Sequence, residues 1–144
     1  MFVTSIGVYA EDLDSKNVTL YEEVQESFMW SIPDTGINIG ESNPEFSVSV
    51  TEAHIAEGKH IDIKVNYDGS YLKNVGNKSG SEVFIKKGDQ QIESGGLILT
   101  VNSVYGREQA SYNQEITIDK YTNPFLYAGR YELQLEFVAE IVNS

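Results

Sequence analysis

The chain has 144 residues, no cysteine, and a net charge of −12 from 22 acidic and 10 basic side chains. That length suits one domain whose core can form without disulfides or metal, and the missing cysteine excludes a disulfide framework, thiolate metal ligands and a cysteine nucleophile. The acidic field disfavours nucleic acid and anionic membrane surfaces as partners and leaves basic or neutral ones open.

Phe2 to Ala10 is uncharged and mostly apolar or small, and Glu11-Asp-Leu-Asp14 then turns acidic. Val8-Tyr9-Ala10 carries the small-x-small spacing that a signal peptidase reads, because its pocket admits only small side chains at those two positions. The pattern predicts that residues 1–10 are the tail of a signal peptide starting further upstream, that residues 11–144 form a single domain, and that the protein is extracellular or on a cell surface. No stretch is long and apolar enough to span a bilayer, so membrane insertion is not expected.

Val18, Leu20, Val24, Phe28, Trp30 and Ile32 share one parity, which predicts one bent strand or two between Val18 and Ile32, interrupted near Glu22-Glu23. Trp30, in phase with Phe28 and Ile32, is expected in the core. Pro33-Asp-Thr-Gly36 reads as a turn, Ile37 and Ile39 as a short strand, and Glu41-Ser-Asn-Pro44 as a loop. Phe46, Val48 and Val50 alternate with Ser47, Ser49 and Thr51; Ala53 to Gly58 reads as a crossing loop with at most one helical turn. Ile61, Ile63, Val65 and Tyr67 alternate with Asp62, Lys64 and Asn66. Tyr71 to Gly80 is rich in Gly, Asn, Ser and Lys and reads as a long exposed loop.

Val83 and Ile85 lead into Lys86-Lys-Gly-Asp89, a hairpin turn with glycine in the position that needs positive φ. Gly95-Gly96 breaks the chain before Leu97 to Val101, and Tyr112, Gln114, Ile116 and Ile118 make a further strand. The clearest alternation comes last: Tyr131, Leu133, Leu135, Phe137, Ala139 and Ile141 alternate with Glu132, Gln134, Glu136, Val138 and Glu140. Such period-two patterning identifies a half-buried strand and excludes an amphipathic helix. Eight or nine short strands with regular turn signals predict an all-β fold, an antiparallel sandwich or barrel.

Three segments carry a resemblance. Ser27-Phe-Met-Trp-Ser-Ile-Pro-Asp-Thr-Gly-Ile-Asn-Ile-Gly40, His54-Ile-Ala-Glu-Gly-Lys-His-Ile-Asp-Ile-Lys-Val65 and Tyr127-Ala-Gly-Arg-Tyr-Glu-Leu-Gln-Leu-Glu-Phe137 resemble segments of pilin-like and WxL-like immunoglobulin-type modules on Gram-positive bacterial surfaces. The resemblance covers most of residues 17–141 and rests on structural motifs; Trp30-Ser31-Ile32 only approximates a Trp-x-Leu motif, and no sorting signal follows Ile141. It implies an antiparallel immunoglobulin-like β-sandwich of about eight or nine strands with a non-enzymatic role in adhesion or surface assembly. A surface protein or a glycan is the implied partner. A carbohydrate-binding module and a phage virion or tail decoration protein are the alternatives.

Residues that carry chemistry are few. His60 and Asp62 share a strand face, but two ligands make a poor zinc site, and Glu11, Asp12, Asp14 and Asp68 lack the spacing of a calcium loop. Glu132, Glu136 and Glu140 on one strand face are read as protection against edge pairing rather than a catalytic carboxylate pair. Asn17-Val-Thr19 and Asn77-Lys-Ser79 match the glycosylation sequon, which is common by chance. No cofactor, metal or catalytic residue is therefore expected. Tyr71, Tyr105 and Tyr121 fall in or near loops, and Tyr71 and Tyr105 are the expected ligand contacts.

Overall fold

The computed structural model describes residues 14–34, 36–40, 43–103 and 112–144, and those residues are all-β, with no helix among them. The strands are β1 (Ser27–Ser31), β2 (Glu45–His54), β3 (Lys59–Asn66), β4 (Tyr71–Lys73), β5 (Ser79–Lys87), β6 (Gln90–Gln91), β7 (Gly96–Asn102), β8 (Tyr112–Tyr121) and β9 (Glu136–Asn143). They form two antiparallel sheets. The larger runs β1-β2-β8-β5-β4 with β6 added to β5, and the smaller runs β7-β3-β9. Residues 1–10, read above as a leader, lie outside the described residues.

Alternation explains why these residues pair. Val48 and Val50 of β2, Val83 and Ile85 of β5, and Ile116 and Ile118 of β8 point to one face of the larger sheet; Ile61, Ile63 and Val65 of β3, with Ile98 and Val101 of β7, point to one face of the smaller. All are buried and, with Ile92, form a single aliphatic cluster. Each such side chain contributes about 1.5–3 kcal/mol of burial before chain entropy is subtracted. Ile98 and Val101 are three apart, yet both are buried, because the β3–β7 register shifts between Ile63 and Lys64. The β5–β6 turn has Gly88 at φ 62, as the hairpin reading requires.

Five expectations are corrected. Residues 14–26 form no strand and are exposed throughout, Val18 at 85% and Leu20 at 90%; alternation supplies an apolar edge, but a strand needs a partner, and none of the described strands pairs with this segment. Trp30 keeps its parity, opposite Val50, but is 36% exposed rather than core, because β1 is the outermost strand of the larger sheet and the smaller sheet has only three strands with which to cover it. Ile37 and Ile39 form no strand; Lys120 Nζ instead donates to the carbonyls of Ile39 and Gly40, holding that segment to β8.

Ala53 and His54 belong to β2 rather than a crossing loop: Glu52 and Ala53 together oppose Phe28, and this bulge, with Glu52 at φ 52, keeps the pairing going to His54. Tyr71 to Gly80 is not a long loop. Lys78 N–H donates to the Asn74 side chain (2.8 Å) and Asn77 N–H to the Asn74 carbonyl (2.9 Å), closing a tight turn between β4 and β5.

The last alternating segment has the expected parity but serves both sheets. Lys73 and Glu132 exchange two backbone hydrogen bonds of 2.9 Å at the β4 edge of the larger sheet. Four residues later the chain enters β9 and pairs with β3 along its whole length. The Tyr131 ring lies against Gly80, where an added Cβ would come within 2.9 Å of it, and the Tyr131 hydroxyl donates to the Tyr127 carbonyl (2.9 Å). Phe137 meets Phe46 of β2 edge-on, with ring centroids 6.0 Å apart, and so joins the two sheets.

Candidate functional site

Residues directly opposite one another on neighbouring strands share a face. Tyr71 of β4 pairs with Glu82 of β5, and Glu82 pairs with Tyr121 of β8. This lays Tyr71, Glu82 and Tyr121 in one row across three strands, on the face opposite the buried Val83 and Ile85. Phe84 and Asp119 form the next row, Lys86 and Thr117 the one after. Tyr71 is 45% exposed and Tyr121 73% exposed. Phe84 meets Tyr121 edge-on at 6.0 Å between centroids.

Two clefts flank this patch. One, of about 340 Å³, is lined by Tyr67, Ser70, Glu82, Phe84, Gln91 and Glu93 among others. The other, of about 370 Å³, is lined by Asn43, Phe84, Lys86, Gln91, Asp119, Lys120 and Tyr121. Phe84 and Gln91 belong to both and form the ridge between them.

The polar groups are mutually oriented. Lys86 Nζ lies 2.8 Å from Asp119 Oδ2, and that hydrogen bond and charge, with a smaller contribution from Asp89, hold the ammonium above its ordinary pKa against a partial desolvation. Ser70 Oγ donates to Glu82 Oε2 (3.1 Å). The Tyr67 hydroxyl donates to the Ile92 carbonyl; burial, and then the charge of Glu93, push its pKa up, so it stays a neutral donor in the cleft wall. Chemically the face offers two exposed phenol rings and a phenyl edge beside amide, hydroxyl and carboxylate groups. Such a face can stack against a polar ring and hydrogen-bond to its substituents.

Of the two tyrosines expected to contact ligand, Tyr71 is on this face and Tyr105 lies outside the described residues. Tyr121 joins Tyr71 by way of Glu82. Phe84, Lys86, Gln91 and Asp119 were not singled out by sequence. Phe84 carries the one signal that could have found them: an aromatic ring at the polar parity of β5, between Glu82 and Lys86.

The other chemistry-bearing residues lie elsewhere. His60 Nε2 is 3.3 Å from Asp62 Oδ1, on the smaller sheet, where Thr100 also donates to Asp62 (2.9 Å). Among the described residues no group of three or more histidines and carboxylates converges as a metal site. Glu132, Glu136 and Glu140 are exposed; Glu132 pairs with Arg130, and Glu140 lies 3.7 Å from Lys64. Among the described residues no helix is long and apolar enough to cross a membrane.

No family model matches this chain, and no curated protein or solved structure matches it either.

Proposed function

We propose that this chain is an exported, non-enzymatic β-sandwich of the immunoglobulin type that serves adhesion or surface assembly, and that it recognises its target through the outer face of β4, β5 and β8. The sandwich reading is supported by two antiparallel sheets sharing one aliphatic cluster. The Tyr131 hydroxyl on the carbonyl four residues upstream resembles the tyrosine corner of immunoglobulin-type domains. Export rests on the small-x-small pattern at Val8-Tyr9-Ala10.

The observation that carries the recognition face is the row Tyr71, Glu82 and Tyr121, with Phe84 beside it. Exposed aromatics held on paired strands are rigid, so they bind with little loss of side-chain freedom. With a net charge of −12, the target is basic or neutral. The same row favours one second reading, a carbohydrate-binding module, because tyrosine faces flanked by hydrogen-bonding groups suit neutral sugar rings.

A glycan array and a pull-down from surface-protein extracts, each run with wild type, Tyr71→Ala and Tyr121→Ala, test both. Glycan binding lost in both variants with unchanged melting temperatures selects the carbohydrate module. Capture of a surface protein lost in the same variants selects the adhesive one. Binding that neither substitution alters removes this face from the proposal. Fractionation of the producing cells tests export: retention in the cytoplasm removes the surface role and favours a virion or tail component.

A further inference from the structure

Every residue from Asp14 to Gln25 is exposed and outside any strand, yet the segment is patterned as one. Val18 and Leu20 share one face of an extended chain, with Thr19 and Tyr21 on the other. The base of this arm is fixed: Glu26 accepts the Ala56 N–H (3.0 Å) and lies 3.3 Å from Lys59. Among the described residues, what the arm lacks is a neighbouring strand.

The molecule has a free edge of matching size and chemistry. Among the described residues, strand β9 is an edge of the smaller sheet, and its eight residues pair only on the β3 side. Its inward side chains Phe137, Ala139 and Ile141 pack against the core but remain half-buried, whereas Ile61, Ile63 and Val65 of β3 are fully covered. Charge agrees as well. The outer face of β9 carries Glu136 and Glu140, while Asn17 to Tyr21 of the arm is uncharged and preceded by Lys16, with Glu22 and Glu23 following beyond that stretch. Within one molecule the arm stays off β9, although its base lies at Lys59, the residue paired with Asn143 at the end of that strand.

We propose that Asn17–Tyr21 of one molecule adds as a fourth strand to the free edge of β9 in a second copy of this chain. Val18 and Leu20 then cover Phe137, Ala139 and Ile141, and the backbone groups of both segments are paired. Donor and acceptor are different surfaces, so the exchange either propagates as a row or ring of molecules or closes as a reciprocal pair. This inference deepens the assembly reading and rests on it for its biological setting alone: its failure leaves a glycan- or protein-binding monomer intact, and absence of ligand binding leaves self-association measurable.

Sedimentation velocity of the purified full chain, from micromolar to millimolar concentration, tests it against the double variant Val18→Asp with Leu20→Asp. Both positions are solvent-exposed, so the variant keeps the melting temperature of the wild type. The expected result is concentration-dependent species larger than the monomer in wild type and their complete loss in the variant. A synthetic Lys16–Gln25 peptide, added to the variant, is expected to slow hydrogen exchange along β9. A wild type that stays monomeric with β9 unprotected overturns the proposal, as does assembly that survives the double substitution. Protection that falls on the β1 or β7 edge overturns the choice of β9. A monomeric wild type whose β9 is already protected, and loses that protection in the variant, shows that the arm folds back on its own molecule and overturns exchange between copies.

Discussion

Strands β7 and β9 flank the same strand, β3, and differ in what lies across from them. Strand β7 touches β8 and β2 of the larger sheet, and its Ile98 and Val101 are fully buried. Strand β9 has a cleaner alternation, but Phe137, Ala139 and Ile141 remain half-buried. Alternation in sequence reports which face of a strand is apolar; whether that face is dry depends on which strands lie across from it. Strand β7 lies against β8 and β2, whereas Trp30 of β1 and the inward row of β9 sit at the rims of their sheets and stay partly exposed.

The largest difference between the two edges is expected from a truncation pair. Ile98→Ala on the closed side is expected to cost about 2–5 kcal/mol, the range for a buried isoleucine that leaves a cavity. Ile141→Ala on the open side is expected to cost about 1 kcal/mol, as for an ordinary partly exposed position. Urea midpoints for the two variants check this, and equal losses would mean that β9 is as well covered as β7. Next in size is Gly80→Ala, whose new methyl meets the Tyr131 ring. A loss of about 1–3 kcal/mol is expected, as for overpacking, and Tyr131→Leu combined with it should recover part of that loss if the ring is what the methyl strikes.

Smaller still is the contribution of Glu26. The Ala56 N–H, with Lys59 and against a partial desolvation, holds its carboxyl below the ordinary 4.5. A lowered folded pKa means stability that is present above the unfolded value and lost as pH falls through the folded one. Wild type and Glu26→Gln should therefore differ at neutral pH and converge in acid; a difference constant with pH would assign the effect to packing. Smallest is Glu136→Ala on the outer face of β9, expected within about 0.5 kcal/mol, a change too slight to detect unless Glu136 faces inward after all.

The regular parts of the fold were legible because their apolar residues are β-branched, alternate strictly and stop at glycine or asparagine turns. Ile61, Ile63 and Val65, the Gly88 turn, and the pair Ile116 and Ile118 behave as that pattern requires. Trp30 and Val18 were misjudged for one reason: parity is local, while burial is decided by strands far away in sequence. Tyr71 was legible as an exposed aromatic but was placed in a loop, because the Asn- and Gly-rich stretch after it encodes a tight turn that looks like a long one. The partnership of Tyr71 with Tyr121 was not legible, since it depends on both pairing with Glu82 across fifty residues of chain.

The segment that bonds to Lys73 before entering β9 has a consequence for the order of folding. The smaller sheet is assembled from residues 59–66, 96–102 and 136–143, and its central strand acquires its second partner only from the last of these. During synthesis β3 and β7 must therefore wait as a two-stranded ribbon with Ile61, Ile63 and Val65 incompletely covered. Contacts that close such long loops form slowly. The strand that completes the sheet is the last described strand to be synthesised, so β3 and β7 stay partly uncovered until residues 136–143 have followed them.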